Sequence, residues 1–414
     1  MTRRIFPLIL ASALAAATLP KSNPEDVGIS SGRLQRVHAM LQRYIDSGEI
    51  AGSVALIARK GRIAHFEAQG VMDLESKKPM RTGTIFRLAS MTKPVTSIAT
   101  MMLLEEGKFL LDDPISKFLP EFKNPKVAVA NAPNQRFDDG FRTVPAEREI
   151  TIRHLLTHTA GLASGSGGPT LAMSKRLAQF SKPENTMAEY TAELAKMPLN
   201  FQPGTAWEYG PATNVLGRLV EVISGQPLDQ FFEQRIFRPL GMTDTAFYLS
   251  DDRLPRLASA YKKSSAGLEK LTAPGPTARN GRYFAGAGGL AGTAEDYLRF
   301  CQMLLNGGQL DGYRLVSRKT TESMTTNHIG PLTLWDDSLR GYGFGLGFRV
   351  RKDLGQSLTL GSNGEYGWGG AYGTYFWVDP KEQMIGILMI QLMPYAHVNL
   401  RPEFQNVATQ AIVD

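Results

Sequence analysis

A serine and a lysine stand one helical turn apart near the start of RLASMTKPVTSIATMMLLEEG, residues 87–107. A serine hydroxyl beside an amine that can take its proton is an activated nucleophile for acyl transfer, and Ser90 and Lys93 have that spacing. In the alternative interpretation, Ser90 caps the helix and Lys93 is a solvated side chain of the first turn. The helix dipole disfavours a cation there and would help a lysine lose its proton. The motif alone leaves both interpretations open.

The helix that carries this pair is predicted from its apolar periodicity. Its apolar stripe consists of Val95, Ile98, Ala99, Met102 and Leu103. Pro94 lacks an N–H and is tolerated only in the first turn, so the helix must begin close to Ser90. Gly107 ends it in the C′ position. The pattern predicts an amphipathic helix with Ser90 at its amino-terminal end.

Two later segments carry further candidates for the same chemistry. Tyr209 lies in FQPGTAWEYGPATNVLG, in a predicted loop just before a helix. If it faces Ser90 and Lys93 it can shuttle a proton, whereas tyrosine is otherwise a packing residue. Trp368, Gly369 and Gly370 precede a strand in GEYGWGGAYGTYFWV. The glycines allow a close backbone approach to a substrate oxygen, or they mark a β-bulge.

Two other motifs imitate catalytic sites. Residues 28–32 read G-I-S-S-G, a formal nucleophile elbow, but no strand precedes them and a helix cap explains Ser30. His154 and His158 have the spacing of paired zinc ligands. The zinc-protease motif needs a glutamate after the first histidine, where Leu155 stands. We therefore expect structural histidines, no metal site and no cofactor.

The ordered set of Ser90, Lys93, Tyr209 and the W-G-G segment resembles the serine β-lactamase-like family. It is most similar to the family VIII carboxylesterases. Connecting segments match as well, namely ITIRHLLTHTAGL, PLGMTDTAF, GAGGLAGTAEDYLRFCQMLLNGG and GTYFWVDP. The resemblance implies that Ser90 is the nucleophile and that Lys93 and Tyr209 activate it. It also implies an α/β domain joined to a helical one, with the site between them.

Two departures from the β-lactamase pattern affect the expected substrate. The closest lactamases read Y-x-N where this chain has Pro211 two residues after Tyr209, so the side-chain amide is missing. They read K-T-G where this chain has Trp368, which cannot bind the carboxylate of a penicillin, cephalosporin or D-alanyl peptide. Both changes predict a neutral ester rather than an anionic lactam as the substrate. A short acyl chain is expected as well. That expectation assumes that no other cation, Arg349 for instance, reaches the same point.

The predicted reaction is acyl transfer in two steps. Tyr209, its proton lost or shared with Lys93, takes the proton of Ser90, and water later releases the acid. The oxyanion is expected between the N–H groups of Ser90 and Ala371, with Trp368, Gly369 and Gly370 lining the substrate site. A β-lactamase or D-alanyl peptidase, an acyltransferase, and an inactive binding or sensor protein remain as alternatives.

Composition limits the other function classes. The chain has 414 residues, of which 43% are hydrophobic and 21% charged, which indicates a globular protein with a large core. The net charge of +7 comes from scattered side chains, so we expect no nucleic-acid partner and a small-molecule ester instead. Residues 1–20 resemble a secretory signal, which predicts a periplasmic or secreted protein. A retained helix in a cytoplasmic protein is the alternative. No later segment predicts a membrane span.

The layout predicts an α/β fold whose antiparallel sheet is built from both chain ends, with a mostly helical insertion. The expected parts are residues 1–20 as a signal peptide, 21–110 and 286–414 as the α/β domain, and 111–285 as the helical domain. Strands are expected at 52–60, 62–70, 342–350, 369–378 and 383–393, and a closing helix at 402–413.

Overall fold

The computed structural model of the protein describes residues 19–131, 140–163, 176–272, 275–277, 281–334 and 339–414. Its main sheet has eight antiparallel strands from both ends of the chain. From one edge to the other these are β12 (Tyr342–Phe344), β13 (Arg349–Arg351), β14 (Tyr366–Gly369), β15 (Tyr375–Asp379), β16 (Met384–Met389), β1 (Gly52–Arg59), β2 (Arg62–Asp73) and β3 (Lys78–Pro79). The predicted β-lactamase-like sheet, built from both termini, is confirmed.

The remaining described elements are short strand pairs and α-helices. Short pairs are formed by β4 (Phe86–Arg87) with β9 (Ala291–Gly292), β5 (Lys126–Ala130) with β6 (Phe141–Pro145), β7 (Tyr261–Ser264) with β8 (Gly267–Lys270), and β10 (Gln309–Leu310) with β11 (Tyr313–Arg314). The α-helices are α1 (Ser31–Asp46), α2 (Thr92–Glu105), α3 (Ile152–Leu156), α4 (Met187–Ala195), α5 (Ala212–Ser224), α6 (Leu228–Phe232), α7 (Arg238–Leu240), α8 (Ala294–Leu305), α9 (Arg318–Met324) and α10 (Leu400–Thr409).

The sheet is covered by helices on both faces because its central strands are apolar on both sides. Every residue of β1 is buried. Ala55 and Ile57 belong to the core shared with α1 and α10, while Val54 and Leu56 belong to the core shared with α2 and α8. The β1–β2 hairpin turns at residues 60–61, both of which have positive φ, as a type I′ turn requires.

Helix α2 lies between this sheet and the helical part of the chain, in contact with α5. All residues from Thr92 to Leu103 are buried, so the predicted amphipathic helix is instead enclosed on all sides. Two of its threonine hydroxyls find hydrogen-bond partners in a neighbouring loop. Thr96 Oγ1 donates to the Gly286 carbonyl at 2.7 Å, and Thr92 Oγ1 accepts from the Leu290 N–H at 3.1 Å. Gly107 has φ +70° and ends the helix as expected.

Two predicted strands are wrong in detail. Residues 342–350 form not one strand but the hairpin β12–β13, because Gly345 donates to the Phe348 carbonyl and Gly347 has φ +97°. Residues 369–378 are likewise divided between β14 and β15 by a tight turn. The expected domain boundaries stay predictions. The expected signal peptide lies outside the described residues except for its last two, and no described helix is long and apolar enough to cross a membrane.

Candidate active site

Ser90 lies on a single 3₁₀ turn, residues 89–91, that leads into α2. Ala89 has φ +47°, a left-handed conformation that costs a non-glycine residue about 1–2 kcal/mol. The turn is held by Leu88, whose N–H donates to the Leu290 carbonyl at 2.9 Å and whose carbonyl accepts from Thr374 Oγ1 at 3.1 Å. Ser90 caps no helix, because Met91 is the N-cap residue of α2 and makes no side-chain cap.

Lys93 is 4% exposed and points back at Ser90. Its Nζ donates to Ser90 Oγ at 3.2 Å and to the Ala287 carbonyl at 2.8 Å. Ala287 is fixed in turn, because its N–H donates to Asn214 Oδ1 at 2.8 Å. Sequence reasoning missed Asn214 and Ala287. The available signal was the glycine-rich segment GAGG at 286–289, which lets the chain approach α2 and α5 closely.

Tyr209 lies within a cluster of aromatic rings next to Lys93. Lys93 Nζ is 4.5 Å from the centre of the Tyr209 ring, over its face. Trp368 Nε1 donates to the Tyr209 hydroxyl at 3.3 Å, and Trp207 stacks on the same tyrosine at 6.3 Å between ring centres. The structure thus brings Ser90, Lys93 and Tyr209 together, with the ammonium over the ring of Tyr209.

The two histidines of this segment, His154 and His158, have different contacts. His154 Nδ1 accepts from the Thr151 N–H at 3.2 Å and so caps its own helix α3. His158 follows that helix with φ +57° and lies 5.0 Å from Tyr209 between ring centres. Burial, and then the charge of Lys93, lower the pKa of His158 to about 3, so it is neutral near pH 7. Among the described residues, no group of three histidine, cysteine or acidic side chains could hold a metal ion.

The formal nucleophile elbow lies elsewhere in the fold. Ser30 is the N-cap of α1, and its Oγ accepts from the Arg33 N–H at 3.3 Å. No base approaches this serine among the described residues. Its role is therefore that of a helix cap.

The glycines after Trp368 are required by close neighbours. A Cβ on Gly370 would lie far inside contact distance of the Leu88 carbonyl and Thr374 Oγ1. A Cβ on Gly369 would lie 2.6 Å from the Arg401 guanidinium carbon. The end of β14 is therefore pressed against the turn that carries Ser90 and against α10, which only glycine permits.

A cavity of about 480 Å³ opens in front of these residues. Its lining includes Ser90, Tyr209, Trp368, Gly369, Gly370, Ala371, Tyr342, Tyr375, Arg349 and Arg401. Two arginines, Arg349 and Arg401, therefore line the same cavity as Trp368. Arg349 comes from β13, paired in register with Gly367 of β14, and Arg401 comes from α10.

Comparisons with known proteins agree on one family. The family model for β-lactamases matches residues 37–409. Esterase EstB of Burkholderia gladioli is 32% identical over 371 residues, covering 83% of this chain and 86% of that protein. The lovastatin esterase of Penicillium rubens is 32% identical over 374 residues, covering 84% and 91%. The solved structure of EstCE1, a hydrolase with promiscuous acyltransferase activity, superposes with a TM-score of 0.76 at 31% identity, over 92% of this chain and 99% of that one.

Proposed function

Because the chain belongs to the β-lactamase family, we propose that it is a serine carboxylesterase that forms an acyl-enzyme on Ser90. The observation that carries the proposal is the hydrogen bond of 3.2 Å from the buried Lys93 Nζ to Ser90 Oγ, at the wall of a cavity. A serine hydroxyl in contact with an amine is the arrangement that nucleophilic acyl transfer needs. The two esterase relatives support a carboxylic ester as the substrate.

Tyr209, its own proton lost or shared with the Lys93 amine, takes the proton of Ser90 as the hydroxyl attacks the ester carbonyl. Lys93 Nζ lies over the ring of Tyr209, and the Trp368 N–H donates to the Tyr209 hydroxyl. Lys93 Nζ donates to Ser90 Oγ at 3.2 Å and lies over the Tyr209 ring, so it adjoins both residues. The same network protonates the leaving alcohol, and Tyr209 then activates the water that releases the acid.

The developing oxyanion lies between the N–H groups of Ser90 and Ala371. Gly370 donates its N–H to the Thr374 carbonyl, which ends the pairing of β14 with β15. The next N–H, that of Ala371, has no backbone acceptor among the described residues and belongs to a residue that lines the cavity. Donors that are already in place stabilise the charge that forms in the transition state.

The groups next to the ester bond are short and uncharged on this proposal. Trp368 and Tyr209 present ring surface beside Ser90, with 5.3 Å between the ring centres. Ring surface favours apolar substituents, and a cavity of about 480 Å³ suits a small ester.

The test is hydrolysis of p-nitrophenyl esters of increasing acyl length, run beside nitrocefin. We expect the short esters to have the highest kcat/KM and nitrocefin to be a poor substrate. Ser90→Ala should lose about 10³-fold or more in kcat, and the matched variant Ser30→Ala should stay within about twofold of wild type. Full activity of Ser90→Ala, or faster turnover of nitrocefin than of any ester, would contradict the proposal.

Acyl transfer to an alcohol is the second candidate, and the similarity to EstCE1 favours it. The acyl-enzyme is the same, and an alcohol replaces water in the second step. Butanol added to a p-nitrophenyl butyrate assay should then yield butyl butyrate. If ester forms faster than free acid in dilute butanol, the chain is chiefly an acyltransferase.

A further inference from the structure

Two arginine side chains in the wall of the catalytic cavity form no direct salt bridge with a described residue. Arg349 and Arg401 line the cavity together with Ser90 and Trp368. Within the described parts of the chain, neither forms an ion pair with a carboxylate. Charges removed from water are costly unless a counter-charge approaches them.

The charge around these arginines is unbalanced. Among the described residues, Glu365 is the carboxylate that lies beside Arg349 and Arg351. Arg351 Nη2 donates to both of its oxygens, at 3.0 and 3.1 Å. Gln405 Nε2 donates to Glu365 as well, at 2.8 Å. Arg349 and Arg351 therefore share the field of one carboxylate, which accepts hydrogen bonds from Arg351, Gln405 and Tyr342. The cavity wall carries an excess of positive charge.

Arg349 has the unused hydrogen-bonding capacity. Its Nη2 donates to the Tyr375 hydroxyl, and its guanidinium carbon lies 4.6 Å from the centre of the Tyr342 ring. A guanidinium has five N–H groups, and the described residues accept from Arg349 only at Tyr375. Arg401 is more fully bound, because it donates to the Tyr395 hydroxyl and to the carbonyls of Gly370 and Thr374. Arg401 is thus a fixed charge, and Arg349 can still receive a ligand.

We propose that Arg349 binds a carboxylate of the substrate, with Arg401 adding to the positive field, so that the preferred substrates are esters that also carry a free acid group. This inference rests on the proposed hydrolysis at Ser90, and it replaces the expectation of wholly neutral substrates. The group beside the ester bond stays uncharged against Trp368, and the acid lies at the other end of the molecule. The cation enters from β13 and not from β14 itself.

Matched ester pairs test the preference in the unmodified enzyme. One pair carries the charge on the acyl side, mono-p-nitrophenyl adipate against the p-nitrophenyl ester of adipic acid monoamide. The other carries it on the alcohol side, 4-carboxyphenyl butyrate against 4-carbamoylphenyl butyrate, each corrected for its rate with hydroxide. In at least one pair we expect the acid to exceed the amide by about tenfold in kcat/KM, and this advantage to shrink as salt is raised. Equal kcat/KM values in both pairs, at low and high salt, would overturn the proposal.

Variants assign the preference to Arg349. Arg349→Gln should remove the advantage of the acid, Arg349→Lys should retain part of it, and the exposed control Arg62→Gln should leave it unchanged. The rate with the neutral amide should be unchanged in the control Arg62→Gln, and for the two Arg349 variants the measured quantity is the ratio of the acid's kcat/KM to the amide's. Loss of the acid preference in Arg62→Gln, or its persistence in Arg349→Gln, would contradict the assignment.

A binding measurement separates this inference from the esterase proposal. Calorimetry compares 4-phenylbutyrate with 4-phenylbutyramide, neither of which can be hydrolysed at an ester. Tighter binding of the acid, by about tenfold and lost in Arg349→Gln, supports the anion site even if no ester is cleaved. Equal binding of acid and amide, together with Ser90-dependent hydrolysis of both esters of each pair, overturns the anion site and leaves the esterase proposal standing.

Discussion

At the scale of single residues, the exchange of a lysine for Trp368 changes more than the charge of the site. The indole supplies a ring surface and also an N–H that donates to Tyr209 at 3.3 Å. The Tyr209 oxygen is therefore approached by a donor on one side, while Lys93 lies over the ring. The resemblance to the β-lactamases gave Trp368 only a place in the substrate site, and the structure gives it a contact with Tyr209, the proposed proton shuttle.

Trp368→Phe should lower kcat by about five- to tenfold with little change in KM, because the ring remains and only the hydrogen bond to Tyr209 is lost. The matched control is Trp207→Phe, since Trp207 Nε1 is buried without a partner among the described residues and its ring stacks on the same tyrosine. Steady-state kinetics on p-nitrophenyl butyrate measure both. Equal losses in the two variants would mean that the ring packing, and not the N–H, matters.

At the scale of elements, the site depends on how closely the end of β14 approaches the turn before α2. Thr374 binds the Leu88 carbonyl, and Gly370 leaves no room for a side chain between them. Ser90 follows two residues after Leu88, so the position of the strand end sets the position of the proposed nucleophile. Ser90 and the proposed oxyanion donor at Ala371 are thus held by one contact.

Gly370→Ala should reduce kcat/KM for short esters by about tenfold or more, because the added methyl group must displace the Leu88 backbone or β14. Gly32→Ala is the control, because Gly32 is helical and only Ser30 Oγ lies near its added Cβ, at 3.9 Å. It should keep full activity and raise the free energy of unfolding by about 0.5–1 kcal/mol. Normal kinetics in Gly370→Ala would show that the strand end can move without consequence.

Much of this arrangement could be predicted, because the local sequence signals agree with the places of the elements in the fold. Pro94 and Gly107 lie at the two ends of α2, and the apolar runs at both chain ends indicate a shared sheet. The β12–β13 hairpin could not be predicted, because the glycines of GFGLG carry no side-chain pattern. Arg401 was missed for another reason. It shares a helical face with the buried Phe404, and an analysis of apolar periodicity gives no weight to a charged residue on an apolar face.

At the scale of the whole molecule, the catalytic region lies where the sheet and the helical part of the chain meet, and burial there sets protonation states. His158 is enclosed by aromatic rings, 5.4 Å from Phe344 and 6.0 Å from Trp207 between ring centres. Its Nδ1 has no hydrogen-bond partner among the described residues. A protonated imidazole would stand unpaired beside Lys93, which couples the charge state of this region to folding.

Wild-type stability should therefore fall on acidification more steeply than that of His158→Gln. The pKa of His158 is about 3 when folded and about 6.5 when unfolded, so the unfolded chain binds the extra proton between these values. The contribution of neutral His158 is complete above about pH 6.5 and is lost as the pH falls towards 3. Urea unfolding at pH 7 and pH 5 should show the wild type losing about 2 kcal/mol more than the variant. Parallel losses would mean that His158 is not buried as described.

The central claim is that Ser90 is the nucleophile, and covalent labelling tests it most directly. A fluorophosphonate probe reacts with an activated serine hydroxyl and leaves a stable adduct that peptide mass spectrometry can locate. We expect one adduct per chain, on the peptide that contains Ser90, in the wild type and in Ser30→Ala, and none in Ser90→Ala. An adduct on the Ser30 peptide, or undiminished labelling of Ser90→Ala, would contradict the account.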